Sequence, residues 1–322
     1  MTAFRTAGLH HVTLVAREAP RTVAFYRDLL GLTLLAGRDD GSGTLWFGDP
    51  EGTPGTLVAA RVDGAAPAGR YGVGGLHHVA FGTENDATLL AWKRYLGDRG
   101  VRVSGPMERG YFRSLYFRDP DGQVLEIATR GPGYAHDEPA DALGRRLIVP
   151  PASQLPGTRD LRAIVAATHP EPVEAITPAM RLQGIHHVTG MTDDLARADA
   201  FLAAALGLAL VKQSVNQDDP STLHHFWASY DGRTVAPHSS YTLFGWPRAN
   251  ALRARAGVGQ ADHVAFRAPD ADALDAWRDR LVAAGIGAAE PVEHGGWRSV
   301  RFTGPDGMRF EVAADVPVAV AA

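Results

Sequence analysis

The chain has 322 residues, 45% of them hydrophobic and 21% charged, with a net charge of −4 and no cysteine. That is an ordinary composition for a soluble globular chain of about two domains, each large enough to bury a core. It gives no basis for nucleic-acid or anionic-membrane partners. It excludes disulfides, thiolate nucleophiles and cysteine-held metals, and no apolar run is long enough to span a bilayer. The opening residues, MTAFRTAGLHHV, lack the apolar core of a signal peptide, so a cytoplasmic location is expected.

A recurring unit organises the sequence. Four copies are expected, over residues 8–62, 75–130, 184–247 and 260–314, each a short alternating strand, a helix and three more strands (βαβββ). The helices are predicted near 20–30, 86–99, 193–205 and 270–284, with Gly31, Gly100, Gly207 and Gly285 as their stops. Residues 1–130 thus carry two modules and residues 184–322 the other two. Residues 131–183 do not repeat. They are rich in proline, with a helix expected near 159–168, and read as an ordered connector because Leu147, Ile148, Leu161, Ile164 and Val165 can pack.

The second and fourth modules stay in one frame from His78 to Glu126 and from His263 to Glu311, sharing Trp92/Trp277 and Arg113-Ser114/Arg298-Ser299 on the way. The opening motif recurs as HHVT at His10 to Thr13 and at His186 to Thr189. Strand alternation sets the second His of each copy (His11, His78, His187, His263) beside small residues. The first position, Asp262 in one copy, falls on the Val/Phe side that suits packing under the helix. A lone His in such a strand is more often a hydrogen-bonded core residue than a ligand. A repeated His-to-Glu offset is different, because Glu126 and Glu311 lie in otherwise apolar strands and a buried carboxylate needs a partner. Two His and one Glu with open positions match the triad of non-haem Fe(II) oxygenases. Fe(II) is the expected ion; Mn(II), Zn(II) and Ni(II) suit the same ligands.

The motifs GIHHVTGMTDD, VKQSVNQDDPSTLHHFWA, GLHHVAF, RGYFRSLYFRDPDGQVLEIATRGPGYAHDEP and LGRRLIVPP resemble the vicinal oxygen chelate superfamily. Within it, they are most similar to the ring-cleaving dioxygenases acting on hydroquinones and related phenols. The resemblance implies an α+β fold, in which four βαβββ modules pair into two domains with curved mixed sheets. It implies a small aromatic substrate and O2 as partners, and is compatible with a homo-oligomer. It assigns metal ligation to His187, from the module with VNQDDP, and to His78 and Glu126, from the module ending EIATRGPG. Around them it places His77, His186, Thr189, Arg109 and Tyr116. Tyr116 would hydrogen-bond the reacting oxygen, Arg109 would stabilise anionic character or orient Tyr116, and His77 and His186 are acid/base candidates.

The module order departs from the family's, where the VNxDDP module comes first and the EIATxGPG module last. The outer modules have also lost features: the first has GRDDGSG in place of SVNQDDPS, and the fourth has His294 and Arg301 at the offsets of Arg109 and Tyr116. Modules two and three are therefore expected to build one working site, leaving His11, His263 and Glu311 as a second or vestigial set. Consecutive pairing would instead put His11 with His78 and Glu126. A glyoxalase-like isomerase is the competing enzyme, but its pattern wants a carboxylate from the last strand of both paired modules, and TLVAARV and SYTLFGW have none. A non-catalytic binder would use a cleft lined by Trp46, Trp227, Trp246 and Trp297.

Overall fold

The computed structural model describes residues 4–36, 42–246, 252–294 and 296–316; most of the GRDDGSG segment lies outside the described residues. Module one is β1 (Leu9–Ala16), α1 (Ala19–Val23) continued by a π-helical turn (Ala24–Leu29), β2 (Thr33–Leu34), β3 (Thr44–Gly48) and β4 (Leu57–Val62). Module two is β5 (Leu76–Thr83), α2 (Asp86–Asp98), β6 (Ser104–Glu108), β7 (Arg113–Arg118) and β8 (Val124–Thr129). The connector carries α3 (Leu161–Ala166). Module three is β9 (Ile185–Thr192), α4 (Leu195–Leu206), β10 (Ala209–Val215), β11 (Leu223–Ala228) and β12 (Ser240–Gly245). Module four is β13 (Ala261–Arg267), α5 (Ala273–Ala283), β14 (Val292–Glu293), β15 (Trp297–Thr303) and β16 (Arg309–Asp315).

Local chemistry sets the helix ends. Asn85 and Thr88 cap α2 reciprocally, each side chain accepting the other's backbone N–H. Asp194 accepts from Arg197 N at 3.0 Å to start α4. Gly207 ends α4 at φ 66°, where a Cβ would stand 2.2 Å from the carbonyl oxygen of Phe4.

The strands form two eight-stranded sheets, ordered β14-β15-β16-β13-β1-β4-β3-β2 and β10-β11-β12-β9-β5-β8-β7-β6. Module one pairs with four, and two with three. In every module the first strand runs parallel to the last, and two first strands meet antiparallel at each sheet centre. His11 therefore lies with His263 and not with His78.

The alternation expected at the His pairs is broken by bulges. Register passes from Leu76 to His78, from His187 to Ile185, from Leu9 to His11 and from His263 to Ala261. The skipped residues are His77, His186, His10 and Asp262, the first position of all four motifs. A bulge leaves one residue unpaired and re-aims its side chain. The first His thus turns away from the Val/Phe side and reaches its neighbour's ring. Val79, Phe81, Val188, Val264 and Phe266 do pack towards the helices, in one continuous core with Trp92 and Trp277. Those two indoles donate to Met180 O at 2.7 Å and Ala205 O at 2.9 Å, so neither N–H is buried unpaired.

The connector is held differently from the expectation. Leu147, Leu161 and Val165 are exposed. Polar anchors replace them: Lys93 Nζ reaches Ile164 O and Ala167 O, each at 2.7 Å, and Arg159 reaches Asp218 at 2.8 Å and Gln217 O at 2.6 Å. Lys212, fully buried on β10, pairs with Glu138 Oε2 at 2.6 Å and with Asp137, and donates to Tyr134 O at 2.9 Å. No helix among the described residues is long and apolar enough to cross a membrane.

Candidate metal centre

At the centre of the inner sheet, β5 and β9 present His78 and His187 side by side, and β8 runs parallel to β5 with Glu126 in register with Ala80. Their ligand atoms lie within 4.8 Å of one another, and all three residues are buried. The two Nε2 atoms are 3.2 Å apart, and Glu126 Oε2 stands 2.9 Å from His78 Nε2 and 3.5 Å from His187 Nε2. The other carboxylate oxygen, Oε1, accepts from Ser114 Oγ at 2.5 Å. Oε2 makes no well-directed hydrogen bond, despite its nearness to both rings. Burial opposes the charge on Glu126, but His187 and His78 outweigh it and hold the carboxyl well below the usual range. A buried anionic oxygen with two imidazole nitrogens around it and no donor directed at it fits a divalent cation.

The bulged residues fix the ligand rings. His77 Nδ1 lies 2.8 Å from His78 Nδ1, and His186 Nδ1 2.8 Å from His187 Nδ1. A ligand ring that donates from Nδ1 keeps the Nε2 lone pair for a metal, the usual outer-sphere arrangement of metal-binding His. Burial, followed by the adjacent ligand ring, pushes both His77 and His186 down to about 3. The charged form of both rings is thus disfavoured by burial.

A cavity of about 300 Å³ opens on the site and is lined by His77, His78, Arg109, Tyr116, Gln217 and Phe244. Arg109 is buried and not a surface residue of its turn, and it donates to Tyr116 Oη at 2.9 Å. Tyr116 pairs across strands with Glu126, and its ring meets His78 edge-on at 5.7 Å. Burial raises the phenol well above its ordinary range, with Arg109 opposing, so Tyr116 stays protonated. Because Arg109 donates to it, its own hydrogen is left to donate. A second cavity, of about 380 Å³, is lined by Tyr111, Phe112, Tyr134 and His186, and Phe112 packs on the rings of both His186 and His187.

Thr189 Oγ1 lies 2.8 Å from His78 Nε2 and 2.7 Å from Thr242 Oγ1, which continues to His224 Nε2 at 2.8 Å. The sequence motifs assign no role to His224, Thr242 or Ser114. His224 is clamped between Phe226 and Phe244, with both centroid distances 4.2 Å. The second HH pair, in LHHFWA, was its one signal. None of the four tryptophans lines either cavity: Trp227 is in the core, and Trp46 and Trp297 pack on each other in the outer sheet.

The family's sequence profile matches residues 8–127 and 184–312, most of the chain and all four modules. The chain belongs to the glyoxalase/bleomycin resistance protein/dioxygenase superfamily. Among curated relatives, it is 35% identical over 150 residues to a Bacillus subtilis protein provisionally named as the ring-cleaving dioxygenase MhqA, a match over 46% of this chain and 48% of that protein. It is 29% identical over 133 residues to a chlorohydroquinone/hydroquinone 1,2-dioxygenase of Sphingobium indicum, over 41% and 40% of the two chains. A lactoylglutathione lyase of Arabidopsis thaliana matches at 30% over 128 residues, 38% of this chain and 44% of that one. Each match spans about half the relative's length or less. A solved structure provisionally described as a Bacillus subtilis dioxygenase superposes with a TM-score of 0.73 at 22% identity, covering 98% of this chain and 87% of that one, and shares the fold.

Proposed function

We propose that the chain is a metal-dependent ring-cleaving dioxygenase of the extradiol type, acting on a hydroquinone or catechol-like phenol. The observation that carries this reading is the buried Glu126 Oε2 set between the Nε2 atoms of His78 and His187, beside a cavity that is also lined by the Tyr116–Arg109 pair. The curated hydroquinone dioxygenase relative supports the substrate class. Three protein ligands leave open positions for two further oxygens. Fe(II) is the ion assigned, and when bound it would lower the pKa of a phenolic oxygen and supply the redox chemistry toward O2.

The chain's own residues do the rest. The cavity is at the small end of the range for small-molecule sites, which suits a single ring. Phe244 gives an apolar wall, and Gln217 and Asn216 of the VNQDDP loop close one side. Tyr116 donates its free hydrogen to a substrate oxygen, and Arg109 holds that hydroxyl in place and balances developing negative charge. His77 and His186 keep the ligand rings in one tautomer.

One observation weighs against an isomerase. The inner sheet has local two-fold symmetry in its pairing, and Thr242, in register with Thr189, occupies the place that Glu126 holds opposite Ala80. A site with two carboxylates would need an acid there.

Tyr116→Phe tests the reading, since it keeps the ring and removes only the hydroxyl. Metal content and melting temperature should stay near those of the parent chain, while oxygen uptake with hydroquinone falls at least about tenfold. Unchanged uptake at saturating substrate would remove Tyr116 from the chemistry.

A further inference from the structure

The outer sheet repeats the ligand constellation. His11, His263 and Glu311 are all buried, with ligand atoms within 4.8 Å of one another. The two imidazole Nε2 atoms are 3.2 Å apart, as in the inner set, and His263 Nε2 is 3.3 Å from Glu311 Oε2. The ring nitrogens behind them are also engaged: His11 Nδ1 lies 2.8 Å from His10 Nδ1, and His263 Nδ1 lies 2.9 Å from Asp262 Oδ2. A carboxylate behind a ligand His orients the ring and raises its basicity.

The carboxylates differ in a telling way. In the inner set Ser114 satisfies Oε1 and leaves Oε2 without a hydrogen bond. In the outer set Ser299 turns to His294, at 3.1 Å, and Arg301 on the neighbouring strand donates to Glu311 Oε2 at 2.8 Å. Oε1 of Glu311 is then the buried oxygen without a partner. The guanidinium occupies the register position of Tyr116 and takes up one oxygen only. Each set thus keeps one buried carboxylate oxygen without a hydrogen bond, Oε2 beside the two imidazoles in the inner set and Oε1 in the outer set, where Arg301 shares Oε2 with His263.

We infer that His11, His263 and Glu311 bind a second divalent transition-metal ion, and that this ion is structural. Its surroundings on the Trp46 side are closely packed. Trp46 packs edge-on to His11 at 4.9 Å and to Trp297 at 4.9 Å, and both indoles are buried with Leu57, Ala59 and Ala313 over the sheet. Ala59 stands where a fourth ligand from β4 would have to arise.

Metal counting on the full-length chain tests this. Protein stripped with a chelator is titrated with Zn(II), which binds imidazole and carboxylate and has no redox chemistry, and retained metal is measured after desalting. The parent chain should hold about two equivalents, Glu126→Ala and Glu311→Ala about one each, and the double variant almost none. Zn(II) should also raise the melting temperature of Glu126→Ala, and adding Glu311→Ala should remove that rise. Should Glu311→Ala fail to fold, His11→Gln in the Glu126→Ala background carries the same test. About one equivalent in the parent chain and none in Glu126→Ala would overturn the inference. So would binding at the outer set that appears only in Arg301→Met, because Arg301 would then be the cation that Glu311 already has.

Discussion

Glu126→Ala should abolish oxygen uptake and empty the inner site, whatever aromatic substrate is offered. Glu126 is the one carboxylate of the inner set, and apart from the two imidazoles its Oε2 has no hydrogen-bond partner among the described residues. Without it only the two imidazoles remain, and burial holds His77 and His186 below the ordinary imidazole range, so neither is suited to replace its charge. An ion held at a thousand times its dissociation constant stabilises the folded chain by about 4 kcal/mol, so the inner contribution to metal-dependent melting should vanish as well. Elemental analysis checks the ion, melting with and without chelator checks the linkage, and an oxygen electrode checks turnover. Full metal content in the variant would remove Glu126 from the ligand set.

Lys212→Met should cost about 3–5 kcal/mol of stability, since it leaves two buried or half-buried carboxylates without their cation. The Lys212 and Glu138 side chains are both fully buried, and Glu138 Oε1 already lacks a partner. Methionine is close in volume, so packing changes little and the charge effect dominates. The pair fastens the GPGYAHDEP segment to β10, and in that segment Tyr134 Oη donates to Ser240 Oγ at 3.1 Å. Urea unfolding measures the loss, and Lys212→Met combined with Glu138→Gln should recover part of it, because the most deeply buried carboxylate is then neutral. A loss below about 1 kcal/mol would show that the segment is held by its other contacts.

The modules, the strand pattern and the convergence of His78, Glu126 and His187 were legible because duplication writes the same residues at the same offsets, and chance does not repeat a His-to-Glu interval in two apolar strands. The loss of family features in both outer modules, at GRDDGSG and at Arg301, pointed to modules two and three as partners, as the strands now pair. The bulges were not legible. Period-two alternation assumes an unbroken ladder, and nothing in HHV announces that its first residue is skipped in the pairing. That one irregularity turns His77 and His186 from residues on the Val/Phe side into partners of the ligand rings. The connector misled for another reason: Leu161 and Val165 have the composition of packing residues, but a short segment can be fixed by cations such as Lys93 and Lys212 reaching its carbonyls and carboxylates. Trp46 and Trp297, which a binder would have used to line a cleft, are instead buried against each other beside the outer set.

The central claim is tested most directly by following both atoms of dioxygen. The chain, reconstituted anaerobically with Fe(II), is mixed with hydroquinone or a catechol under isotopically labelled dioxygen, and the product mass is read. Ring cleavage by a dioxygenase predicts a ring-opened product that has gained both labelled atoms of one O2 molecule, with one O2 consumed per ring. Oxidation to a quinone without label, or no oxygen consumption with any phenol of the panel, would contradict it.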